Sequence, residues 1–310
     1  MKIVLITLLL ILVLLIVCFV VTQLLALLAR NKLPPHGKFT SVKGGQIHWT
    51  ESGEGDTVLL IHGLGGNLHN FNYMLPELSK NYRVVCIDRL GSGWSTRESI
   101  YYAGIDAQAA AIAEFIEKEE LDRPLVVGHS LGGTFAISLG INFPDRIKSL
   151  ALICPASMAV DQIPEVFRDL ELSTVVGRKF VANVLSGPFG LIKQQKLLTE
   201  IFKPEPVLAD FDTKGGAVLG RLPRHFQTTC EDLISAKSAQ EELMTRLGDI
   251  KTDMYVIFAE DDTILDAQHH GKTFCEKTGA KLTLIPNTGH MLPATNPQLC
   301  NKFIQDIMSL

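Results

Sequence analysis

Apolar positions along this 310-residue chain follow three different rhythms. The first is unbroken. From Ile3 to Ala29, 27 consecutive residues carry no charge, and only Thr7, Thr22 and Gln23 are clearly polar. As a helix this run is about 40 Å long, against about 30 Å for the hydrocarbon core of a bilayer. It predicts one membrane-crossing helix that meets lipid through residues 3–29, with residues 1–33 forming the anchor and the start of a linker. A cleaved signal peptide would have a shorter apolar region and a small-x-small cleavage site. Cleavage after Ala29 or Ala26 would instead put Leu27 or Leu24 at the third residue back, and Val17 precedes Cys18 where a lipoprotein site needs a small residue.

The second rhythm begins after Pro34-Pro35-His36-Gly37, which stops the helix. Short β-branched runs then alternate with helix-like stretches. Gln46–Ser52, Thr57–Ile61, Arg83–Ile87, Leu125–Val127, Ile147–Ile153, Tyr255–Phe258 and Lys281–Ile285 read as strands, and Ala107–Glu120 and Gly132–Ile141 as helices. This alternation predicts an α/β fold, a mostly parallel sheet with helices on both faces. The third rhythm covers residues 157–247. No strand-like run occurs there, and apolar residues such as Phe167, Leu170, Phe180, Phe189 and Phe202 are scattered. That pattern predicts a helical cap inserted between the two parts of the core, 34–156 and 248–310.

Composition narrows the function classes. The residues after the apolar run hold 28 basic and 33 acidic side chains, a net charge of −5. An electrostatic nucleic-acid binder needs a basic face, so no nucleic-acid partner is expected. A hydrophobic fraction of 46% with 20% charged residues excludes a disordered chain. The six cysteines show no regular spacing and no CxxC or His-Cys cluster, which predicts reduced thiols and no metal. Arg30, Lys32, Lys38 and Lys43 follow the apolar run, whereas Lys2 alone precedes it. The positive-inside rule therefore predicts a single-pass membrane protein with its folded domain in the cytoplasm.

The strongest chemical signal is Gly128-His129-Ser130-Leu131-Gly132, directly after the run Leu125-Val126-Val127 and at the start of a helix-like stretch. Strand, sharp turn and helix are the context of a Gly-x-Ser-x-Gly nucleophile elbow, which lifts the serine oxygen clear of the backbone. The helix that starts there aims N–H groups at developing negative charge. His62-Gly63-Leu64-Gly65-Gly66 follows Val58-Leu59-Leu60-Ile61. An oxyanion hole in this arrangement takes the N–H after the nucleophile and one from the loop of an earlier strand. Leu131 and Leu64 occupy those two places.

With these motifs the chain resembles the α/β-hydrolase superfamily over about residues 40–155 and 250–308. Asp88-Arg89-Leu90-Gly91-Ser92-Gly93-Trp94-Ser95 is similar to the family's D-x-x-G-x-G-x-S turn, and Asn142-Phe143-Pro144-Asp145-Arg146 follows the elbow helix as in the family. The resemblance implies structural roles for both. The order nucleophile, acid, base leaves His225, His269, His270 and His290 as candidates for the base. The family's place for it, the turn before the last helix, is Asn287-Thr288-Gly289-His290. The other three read as surface or partly buried histidines. The acid follows the strand Tyr255-Val256-Ile257-Phe258, in Ala259-Glu260-Asp261-Asp262. The family pattern G-x-x-D selects Asp262, but Ala259 replaces the usual Gly and leaves Asp261 open. Glu260, Asp261 and Asp266 otherwise read as solvated, and Cys154-Pro155-Ala156-Ser157 offers no acid one strand earlier.

The expected catalytic set is thus Ser130, Asp262 and His290, with Leu64 and Leu131 as oxyanion donors and no cofactor. A serine nucleophile sets the chain apart from the dehalogenase and epoxide-hydrolase branches. Ester, thioester, amide and carbon–carbon cleavage stay open. The anchor favours a lipid ester such as a monoacylglycerol, because tethering raises the effective concentration of membrane lipid. An esterase of small soluble esters is the plainer alternative. A ligand-binding receptor or scaffold with an intact triad, as the family also contains, is the other.

Overall fold

The computed structural model describes residues 1–160 and 162–310. Eight strands form one sheet: β1 (Lys38–Val42), β2 (Gly45–Ser52), β3 (Thr57–Ile61), β4 (Arg83–Ile87), β5 (Leu125–His129), β6 (Ser149–Ile153), β7 (Met254–Ala259) and β8 (Lys281–Ile285). Their spatial order is β1-β2-β4-β3-β5-β6-β7-β8. β1 and β2 form an antiparallel hairpin, β2 pairs antiparallel with β4, and every other pairing is parallel. β3, β5 and β6 are buried along their whole length, so their runs contain no alternation. The strands lie where the β-branched runs predicted them, with one addition. β1 was not predicted, because Lys38, Phe39 and Ser41 are exposed and only Thr40 and Val42 are buried, and an edge strand with so few apolar residues reads as linker.

The principal helices are α1 (Lys2–Lys32), α2 (Ile105–Lys118), α3 (Leu131–Asn142), α4 (Val175–Phe180), α5 (Ser186–Phe202), α6 (Pro223–Thr245) and α7 (Pro297–Met308). α3, which follows the elbow, is buried from Leu131 to Gly140. A helix that is apolar on every side belongs in a core, and α3 packs on β5 and β6. Phe135 at its centre is fully buried, and burial of such a side chain contributes about 2–3 kcal/mol. Residues 157–247 hold α4, α5 and α6 and, among the described residues, no strand.

α1 is long and apolar enough to cross a membrane. It also packs against the domain. Its Ala26 and Ala29 are buried with Val218, Leu219 and Leu222 of the cap. Lys32 forms an ion pair with Asp212 at 2.7 Å.

Because β3, β5, β7 and β8 are parallel, their carboxyl ends lie on one edge of the sheet. The chain leaves that edge at His62, Ser130, Glu260 and Pro286. Four separate stretches of sequence therefore converge at the place where parallel α/β sheets hold their ligands.

Candidate active site

Ser130 stands between β5 and α3 with φ 54° and ψ −124°. A non-glycine residue there is strained by about 1–3 kcal/mol, and such strain persists only where the surroundings dictate it. They do so here by close packing. A Cβ on Gly132 would lie 2.2 Å from the Ile61 carbonyl oxygen, so the turn has room only for glycine. A Cβ on Gly63 would lie 2.8 Å from Ser130 Cβ, which puts the loop after β3 directly against the serine. Among the described residues, neither the Leu64 nor the Leu131 N–H donates a backbone hydrogen bond.

His290 and Asp262 meet across the loops that follow β8 and β7. His290 Nδ1 lies 2.7 Å from Asp262 Oδ2. The other carboxylate oxygen, Oδ1, accepts from the N–H groups of Ile264 at 2.8 Å and Leu265 at 2.9 Å. The Asp262 side chain is fully buried, while Asp261 and Glu260 are exposed. The His290 loop is also tied to the elbow. His129 Nε2 donates to the His290 carbonyl oxygen at 2.9 Å, and the two rings lie 5.0 Å apart. His290 and Asp262 are thus bonded to each other, and the residue next to Ser130, His129, bonds the His290 loop across 161 positions.

Three tethers around this cluster left no clear mark in the sequence. The Arg89 guanidinium donates to the His62 and Gly63 carbonyls, each at 3.0 Å, and so fixes the loop that carries Leu64. Asp232 of α6 accepts from Arg89 at 2.9 Å and also pairs with Arg97, which in turn bonds Glu231 at 2.7 Å. Burial raises the Asp232 carboxyl, but the Arg97 and Arg89 charges outweigh it and hold the group below the usual carboxylate range. Removing one partner from such a buried network costs about 3–5 kcal/mol, because the remaining charge has no water. Glu205 of the cap accepts from Gly289 N at 2.9 Å and from Asn296 at 2.8 Å, which braces the turn before His290. Arg89 lies in a turn read as structural; Asp232 and Glu205 sit in cap sequence with no motif.

His269 is half-buried, as the sequence suggested, whereas His225 and His270 are buried. His225 donates to the Gly65 carbonyl at 2.9 Å, and His270 Nδ1 accepts from Met158 N at 3.2 Å. Burial pushes His62 and His129 down to about 3, and His69 and His270 to about 4, from 6.5. These groups are neutral in the folded chain and bind protons readily once it unfolds. Their contribution to stability is complete above pH 6.5 and declines as pH falls toward 3–4. Below pH 6.5 the unfolded chain takes up these protons and the folded chain does not, so each lowers stability as the pH falls. The melting temperature in detergent should therefore fall steeply between pH 7 and pH 5. A melting temperature that stays level across that interval would show that these imidazoles are not held neutral.

Comparison with known proteins agrees with the fold. The family described as alpha/beta hydrolase fold matches residues 56–297. The dihydrolipoyllysine-residue acetyltransferase component of the acetoin cleaving system of Cupriavidus necator is 27% identical over 82% of the chain, which spans 64% of that protein. Monoacylglycerol lipase ABHD6 of Homo sapiens is 26% identical over 83% of the chain and 76% of that protein. The crystal structure of a membrane phospholipase A, described as a novel bacterial virulence factor, superposes with a TM-score of 0.68 at 24% identity, covering 100% of this chain and 98% of that one.

Proposed function

The chain belongs to the α/β-hydrolase family, and from that premise we propose that it is a membrane-anchored serine hydrolase of carboxylic esters, acting on lipid esters such as monoacylglycerols. The observation that carries this reading is the 2.7 Å bond from His290 Nδ1 to the buried Asp262 carboxylate, beside a serine held at φ 54° on a strand-to-helix elbow. The similarity to monoacylglycerol lipase and the apolar α1 support a lipid substrate.

In this mechanism the Ser130 oxygen bonds to the acyl carbon while its proton passes to His290 Nε2. The carbonyl oxygen becomes an oxyanion and accepts from the Leu64 and Leu131 N–H groups, aided by the positive end of α3. Collapse breaks the ester C–O bond, and the alcohol leaves with the proton from His290. Water then attacks the acyl-enzyme, its proton goes to His290, and the acid departs as Ser130 regains its hydrogen. Asp262 keeps His290 with its Nδ1 proton inward and stabilises the imidazolium. Arg30, Lys32, Lys38 and Lys43 keep residues 36–310 in the cytoplasm.

Hydrolysis by the full chain in micelles, across monoacylglycerols of graded acyl length and an acetate ester, tests the substrate. An acyl pocket gains about 0.8 kcal/mol per buried methylene, so kcat/KM should rise about fourfold per methylene until the pocket is filled. A profile that is flat or falls with length would favour small soluble esters. Serine labelling without turnover of any ester would favour a ligand receptor.

A further inference from the structure

α4 and α5 are one continuous helix, joined through a π-helical segment at Val181–Leu185. Its inner side is held at four places. Arg178 is buried and lies 3.9 Å from Glu231 of α6. Asn183, Val184 and Gly187 meet α1. Gln194 donates to Ala217 O at 3.2 Å, and Phe202 packs with Phe211 and Met291. On the outer side Lys193 pairs with Asp169. Val175, Val176, Phe180, Phe189, Leu191 and Ile192 are exposed there, Val176 by 79% and Ile192 by 75%. Six large apolar side chains on one helix are more than scattered surface residues.

The contact with α1 places this helix relative to a bilayer. Thr22 Oγ1 donates to Val184 O at 3.0 Å and accepts from Gly187 N at 3.2 Å, and Gln23 donates to Asn183 O at 3.2 Å. A Cβ on Gly187 would lie 2.6 Å from Thr22 Cα, so the two backbones touch. On α1 the side turned to the protein begins at Leu15 and Cys18, half-buried, and continues to Thr22. The charge-free run is bounded by Lys2 and Arg30. A hydrocarbon core of about 30 Å takes up about 20 helical residues. Wherever that window lies within 3–29, it includes residues 10–22. The cap segment docked on Thr22 and Gln23 therefore lies at the edge of the hydrocarbon or within it. Tilt lengthens the window and does not alter this.

Two chemical features fit that depth. Irregular backbone in a membrane must have its polar groups satisfied by protein, and the π-segment carbonyls of Asn183 and Val184 accept from Gln23 and Thr22. The charges from 175 to 202 are the basic Arg178, Lys179, Lys193 and Lys196 and one acid, Glu200, which pairs with Lys203 at 2.8 Å. Lys179, Lys193 and Lys196 are exposed beside the apolar residues. Exposed apolar side chains interspersed with lysines suit a helix that lies in the plane of an anionic membrane interface, its apolar groups about 5–10 Å into the acyl boundary and its lysines reaching back to the headgroups.

We propose that the cap helix over 175–202 lies within the bilayer interface beside α1, with Val176, Phe189, Leu191 and Ile192 among the acyl chains. The proposal rests on the reading of α1 as a membrane span. The same helix reaches the catalytic loops, since the Glu200 carbonyl accepts from Thr263 at 3.0 Å and Glu205 braces the turn before His290. The site thus draws its ester substrate sideways out of the membrane and does not wait for it to enter water.

The test uses the full chain in vesicles of phosphatidylcholine and phosphatidylglycerol, with an environment-sensitive fluorophore on one introduced cysteine in a Cys18→Ala background. Ile192→Cys reports on the cap, Leu10→Cys on the span and Lys148→Cys on the far edge of the sheet. Nitroxide carried on lipid acyl chains should quench the label at Ile192 as strongly as at Leu10 and leave Lys148 bright, and aqueous iodide should do the reverse. Iodide quenching at Ile192 equal to that at Lys148, with Leu10 still quenched by lipid, overturns the proposal alone. Protection of Ile192 from both quenchers means that a second copy covers the face, and overturns it as well. A Leu10 label that lipid does not quench removes the membrane span and the proposal together.

Discussion

Ser130→Ala is expected to leave a folded protein that turns over esters about 10⁴–10⁶ times more slowly and that a fluorophosphonate no longer labels. The loss is large because in the proposed mechanism the hydroxyl is the reacting group and the other parts of the site act through it. The backbone at this residue makes a second, opposite expectation. Ser130 is held at φ 54° and ψ −124°, and alanine carries the same strain as serine. Ser130→Gly removes the Cβ that makes this conformation costly, about 1–3 kcal/mol, against about 0.5–1 kcal/mol of extra chain entropy for glycine. Ser130→Gly should therefore be as inactive as Ser130→Ala and melt at a higher temperature. Labelling that survives Ser130→Ala would move the nucleophile elsewhere. A glycine variant that melts lower than the alanine variant would mean that the elbow stores no strain.

The sheet was legible in the sequence because its central strands are buried on both faces and so appear as continuous apolar runs. Lys38–Val42 was missed for the opposite reason, since an edge strand is specified by pairing with β2 more than by its own residues. The elbow, the His62-Gly63-Leu64 loop and the His290 turn were legible because each is a local solution to a backbone problem. The choice between Asp261 and Asp262 was not. Adjacent identical residues differ only in which way the turn faces them, and Ala259 replaced the glycine that would mark the register. The contacts of Arg89 with Asp232 and of Thr22 with Val184 were out of reach, since they join residues 143 and 162 positions apart by shape and charge with no shared motif. The Pro-Pro break marked where the helix stops and carried no sign of its packing. Small residues at Ala26, Ala29 and Gly187 let the backbones approach and make the anchor part of the cap.

Asp262→Asn is expected to lower kcat/KM about 10⁴-fold with little change in fold, whereas Asp261→Asn changes it by less than about threefold. The asymmetry follows from the bonds each residue makes. Asp262 Oδ1 accepts from Ile264 and Leu265 N–H groups, and the Asn side-chain oxygen satisfies those same donors. That choice turns the Asn NH₂ toward His290 Nδ1. A donor at that place compels Nδ1 to accept, so the ring proton moves to Nε2, the atom that must take the proton from Ser130. The site then keeps its shape and loses its base, and the imidazolium also loses the negative charge that stabilises it. Asp261 makes its contact through its backbone N–H, which donates to Thr288 O at 3.1 Å, and its carboxylate is exposed. The variant at 261 keeps that bond. Rates of both variants on a soluble ester, with melting curves to show that each is folded, settle the order. If Asp261→Asn is the more damaging, the turn after β7 is shifted by one residue in the working enzyme and His290 is oriented by the other carboxylate.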